Sequence, residues 1–93
     1  MTANEAARLL AALSRAEIAL VQRDPVATAL LAQAARDAEG LAPAPALALA
    51  ARMARAADIS GTAPADAAVR KVVQALCRVA QQDATAALVG AAR

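Results

Sequence analysis

Alanine stands at 33 of the 93 positions, and this single bias narrows the fold more than any other feature. Alanine is the best helix former, and β-branched residues are few. The chain therefore reads as all-α. Its punctuation divides it into four helices. Thr2 and Glu5 fit a capping box that starts a first helix reaching about Gln22, with an apolar stripe of Leu9/Leu10, Leu13, Ala16/Glu17 and Leu20/Val21. Asp24-Pro25 is the strongest local signal, an N-cap residue followed by the one residue that loses nothing at the first helical position. A second helix follows to about Glu39, carrying Val26/Ala27, Leu30/Leu31, Ala34 and Ala38, and Gly40 stops it.

Leu41 to Pro45 is a connector stiffened by two prolines. A third helix is expected from about Ala46 to Asp58, with Leu47, Ala50, Met53/Ala54 and Ala57 on its stripe. Ser60-Gly61-Thr62 breaks the pattern. Thr62 or Ala63 then caps a fourth helix with Pro64 and Asp66 in its first turn, where a carboxylate suits the positive helix end. That helix carries Val69, Val72/Val73, Leu76/Cys77, Ala80, Ala84 and Ala87/Leu88, and Gly90 is expected to fray it. Short turns make neighbouring helices antiparallel. The expectation is a small up-down bundle of two helical hairpins, forming a single domain over residues 1–93.

Absences bound the chemistry. There is no His, Phe, Tyr or Trp, and Cys77 is the only cysteine. The chain therefore has no imidazole base or ligand, no stacking platform for bases or sugars, and no intrachain disulfide. The glycines are isolated, so no phosphate-cradling loop is present. The reading is a non-enzyme without a cofactor. Nine arginines and one lysine are scattered among eight carboxylates for a net charge of +2, an ordinary surface rather than a basic stripe for nucleic acid. The third helix opens Ala46-Leu47-Ala48-Leu49, which offers no base contacts for a DNA reader. No apolar run reaches the ~18–20 residues of a membrane span, and the N-terminus lacks the order of a signal peptide. The expected location is the cytoplasm, of a bacterium by the alanine–arginine bias.

Three positions stand out. Cys77 lies on an apolar stripe and reads as a small buried hydrophobe. Glu17 shares the apolar face of the first helix, so it must lie at the stripe's edge, pair with an arginine of a neighbouring helix, or serve as a polar contact at an interface. Arg52 and Arg55 lie three apart, with Asp58 three further on; Arg55 and Asp58 read as a same-face ion pair, and a phosphate clamp is the alternative.

The fourth helix carries more apolar surface than one buried stripe needs. Val69, Val73 and Leu76 share one face, and Val72 and Val79 are rotated from it. Either the extra valines widen a buried stripe, or they meet a partner. The candidate partner surface is Val72 and Val79, with Leu30, Leu31 and Glu17 as contributors. The partner is then a protein client or a second copy of the chain.

The segment Leu9 to Leu41, with Leu13, Glu17, Leu20, Asp24, Leu30 and Leu31, resembles the small helical export chaperones of bacterial flagella and type III secretion, the FlgN-like hook-junction chaperones among them. Arg8-Leu9, Gln33, Arg36 and Glu39-Gly40 are similar to the hairpin of the needle-subunit co-chaperones. The resemblance implies a chaperone that holds an amphipathic segment of a secretion client until export. The alternatives are a self-associating structural bundle and a phasin-like amphipathic surface coat, the latter gaining helix on contact with lipid.

Overall fold

The computed structural model describes residues 2–57 and 64–92, with side chains described for 2–57 and 67–90. Four helices occupy them: α1 Ala3–Val21, α2 Val26–Asp37, α3 Ala44–Ala56 and α4 Pro64–Ala92. Thr2 caps α1, its Oγ1 accepting the Glu5 N–H at 3.2 Å. At the other end the chain reverses through Gln22-Arg23-Asp24. The Asp24 N–H donates to the Ala19 carbonyl at 2.9 Å and the Arg23 N–H to the Leu20 carbonyl at 3.2 Å. This is the paired-bond helix stop that calls for a left-handed residue, and Arg23 supplies it with φ of 58°. Asp24 then starts α2: its Oδ1 accepts the Val26 N–H at 3.0 Å. Helix α2 thus begins one residue after the expected Pro25.

Helix α2 ends at Asp37 rather than Glu39. The Leu41 N–H closes a turn onto the Ala38 carbonyl at 2.8 Å, and Gly40 makes that turn possible with φ of 81°. Helix α3 starts at Ala44, two residues before its expected start. Pro43 already has helical angles, the Leu47 N–H reaches its carbonyl at 3.2 Å, and Pro45 sits in the first turn, where its missing N–H has no partner to lose. It ends at Ala56, with Ala57 extended, short of the expected Asp58. Helix α4 runs through Gly90 to Ala92 instead of fraying there. The Ser60–Thr62 break, the Thr62 or Ala63 cap, the Asp66 side chain and the Arg55–Asp58 pair lie outside the described residues.

The helices pack in a ring in which α1 adjoins α2 and α4, and α3 adjoins α2 and α4, with no Cα–Cα approach within 8 Å across either diagonal among the described residues. Helix α4 sets the length: its 29 residues span about 44 Å at 1.5 Å per residue, against a long axis of 45 Å. The core lies in two tiers. One, called the upper tier, joins Leu20, Leu31, Val73 and Cys77 with alanines of α1, α2 and α3. The other joins Leu9, Leu13 and Leu47 with Ala34, Ala38, Ala80 and Ala84. Among the described residues 18 hydrophobic side chains are buried and 11 of them are alanine, so seven larger ones carry most of the apolar area, and no described polar side chain is buried. The fold class expected from the sequence, an all-α bundle of two hairpins, is the one formed.

Candidate protein-docking faces

Glu17 is the point where α1 and α4 are tied together by polar groups. Gln81 Nε2 donates to Glu17 Oε2 at 2.8 Å, and Arg78 Nε lies 3.6 Å from Glu17 Oε1. The Glu17 side chain keeps 27% of its surface and Arg78 keeps 69%, so the ion pair is solvent-screened and contributes at most about 1 kcal/mol. Of the readings open for Glu17, the structure places it at the stripe's edge and paired across helices. Gln81, its closer partner, is not evident from sequence spacing, because the register between α1 and α4 is a tertiary property.

Cys77 lies one turn inside this link and is fully buried. Burial, with a smaller push from the Glu17 charge, raises its thiol to about 11. A protonated, inaccessible thiol is neither nucleophile nor metal ligand at neutral pH. No group of acidic or thiol side chains that could hold a metal ion occurs among the described residues.

The valines rotated from the α4 stripe are not absorbed into the core. Val72 and Val79, seven residues apart and so on nearly the same side of the helix, are each 46% exposed, while Val73, turned about 100° from Val72, is fully buried. Gln81 and Arg78 mark the α1 flank of α4, so Val72, Leu76 and Val79 occupy the opposite flank, toward α3. On α3, Ala48, Ala51, Arg52 and Arg55 border α2, which leaves Leu49 and Met53 on the flank toward α4. Met53 and Leu76 are partly buried against the upper core tier, and Leu49 is 43% exposed. The outer side of the α3–α4 pair therefore carries Leu49, Met53, Val72, Leu76 and Val79. Leu49 was not singled out in the sequence, although its spacing of four from Met53 was available as a signal.

Two residues assigned to this surface from sequence belong elsewhere. Leu31 is fully buried in the upper tier with Leu20, Val73 and Cys77, so it packs the core rather than the surface. Leu30 is partly buried on α2, which stands diagonally across the bundle from α4, and so lies apart from Val72 and Val79. Two further apolar side chains lie open on α1: Ile18, 56% exposed, and Val21, 66% exposed, border a shallow pocket with Glu17 and Gln81. Val21 was expected on the buried stripe. It follows Leu20 by about 100° of rotation, and only Leu20 can point inward.

No helix among the described residues is long and apolar enough to cross a membrane. No protein-family model, curated protein or solved structure matches the chain.

Proposed function

We propose that the chain is a non-enzymatic binding module that holds an amphipathic helix of a protein client against the outer side of α3 and α4. The observation that supports this is the half-exposed trio Val72, Val79 and Leu49 on two packed helices, flanked by Met53 and Leu76. Burying the remaining surface of each of the trio returns about 1 kcal/mol, a useful core for a helix-in-groove contact. The client class is the one implied by the resemblance to export chaperones: a secretion or flagellar subunit kept unassembled in a bacterial cytoplasm. Self-pairing through the same face is the second reading, since an apolar surface is also available to a copy of itself.

The test is the double variant Val72→Asp/Val79→Asp. Light scattering over a concentration series, with refractive-index detection because the chain has no Trp or Tyr, reports its mass; far-ultraviolet circular dichroism reports its helicity. The wild type is expected to be monomeric and to retain a client from the source lysate. The variant should keep its helicity and lose the client. Undiminished capture by the variant refutes the assignment. A concentration-dependent oligomer that the variant dissolves transfers the face to self-association.

A further inference from the structure

The groove between α2 and α3 joins an apolar floor to a rim of arginines. Its volume is about 430 Å³ and its floor is alanine from both helices. Ala35 packs against both core tiers, and Ala51 is 7% exposed beneath the groove. Three guanidinium groups, Arg36, Arg52 and Arg55, border this floor against one carboxylate, Glu39. The two helices run antiparallel. Arg36 lies in the last turn of α2 and Arg55 in the last turn of α3, so positive charge stands at both ends of the methyl floor.

Neither Arg52 nor Arg55 has a hydrogen-bond or ion-pair partner among the described residues. Arg36 is steadied instead: its Nη2 donates to Gln33 Oε1 at 2.9 Å, and Gln33 Nε2 donates to Asp37 at 2.9 Å. One Arg36 edge is thus held in place while the rest of the guanidinium stays exposed. A methyl floor admits a close helix backbone, and flanking guanidiniums select carboxylates by charge and geometry. The chain has no aromatic residue to stack a base, and three cations around an apolar floor do not form a phosphate track.

We propose that the α2–α3 groove docks an acidic, small-faced helix of a partner protein. Alanine, glycine or serine on the incoming helix would lie on the floor. Carboxylates about two helical turns apart, roughly 7 residues, would meet Arg36 at one end and Arg52 with Arg55 at the other. The surface is separate from the α3–α4 face and does not depend on what binds there.

The probe is a capped alanine-rich helical peptide with two glutamates about 7 residues apart, beside a control with glutamine at both positions. Each is titrated into the isotope-labelled protein while backbone amide shifts are followed. The glutamate peptide should shift Ala35, Ala48 and Ala51 and weaken as salt rises. The glutamine control and the variant Arg36→Gln/Arg52→Gln/Arg55→Gln should each bind at least tenfold more weakly. These side chains are exposed, so the variant should keep its helicity. Val72→Asp/Val79→Asp should bind the glutamate peptide as the wild type does. Absence of groove shifts, equal binding of the two peptides, or shifts confined to the α3–α4 face overturns the proposal. Tighter occupation of the groove by heparin than by the glutamate peptide assigns the arginines to a polyanion and overturns it as well.

Discussion

Replacing Leu31 by Ala tests both how the bundle is held and what that residue is for. Leu31 is fully buried at the centre of α2. Its tier contains Leu20, Val73 and Cys77, and otherwise alanines such as Ala16, Ala27, Ala50 and Ala54. Leucine-to-alanine changes in cores cost about 2–5 kcal/mol, the spread reflecting how far neighbours collapse into the hole. Alanine has no side-chain rotamer with which to collapse, so the cost here should fall in the upper half, about 3–5 kcal/mol. A domain of this size has a total stability on the order of 5–14 kcal/mol. One truncation should therefore remove from about a fifth of it to all of it. Urea unfolding followed by circular dichroism is the assay. With a slope of about 1–1.5 kcal/mol/M, the midpoint should fall by roughly 2–5 M, or the protein should be unfolded at the outset. Val79→Ala is the control: it trims a half-exposed side chain and improves helix propensity, so stability should move by no more than about 0.5 kcal/mol. A cost below about 1 kcal/mol for Leu31→Ala would refute the view that a few large side chains carry an alanine core. Lost client binding at unchanged stability would return Leu31 to a partner surface.

Two further outcomes follow from local geometry. Arg23→Gly should raise stability by about 0.5–1 kcal/mol in the same urea assay, because glycine enters the left-handed region at φ of 58° without the steric cost that arginine bears; a loss would show that the arginine side chain makes a compensating contact. Cys77, whose folded-state thiol is raised by burial from 9.0 to about 11, favours the native state fully below pH 9, and that advantage is lost as pH rises toward 11, where the unfolded chain ionises first. The loss should be on the order of 2 kcal/mol and should vanish in Cys77→Ala, and a thiol reagent at pH 8 should modify the native protein no faster than it unfolds.

Most of the fold is legible in the sequence because its signals are local. Thr2 and Asp24 each bond a backbone N–H within three residues, and Gly40 takes the positive φ that a tight turn needs. Such interactions hold wherever the segment lies, which is why four helices and two hairpins could be read directly. Helix ends were less legible. The α3 start depends on Pro43 adopting helical angles, and α4 continues through Gly90 although glycine weakens helices.

The candidate faces were legible only in part. The sequence determined that apolar residues come in adjacent pairs: Leu20 with Val21, Val26 with Ala27, Leu30 with Leu31, Val72 with Val73. Neighbours on a helix stand about 100° apart, so one member of a pair can point into a core while the other points away. Which member is buried is not a property of the pair. Packing against the adjacent helices buries Leu20, Ala27, Leu31 and Val73, and leaves Val21, Val26 and Val72 about half exposed or more. The Glu17–Gln81 bond and the gathering of Arg36, Arg52 and Arg55 around one alanine floor likewise rest on interhelical register. Local sequence determined the helices and their turns; only the tertiary arrangement decided which of their faces remain for a partner, because burial is set by what lies opposite.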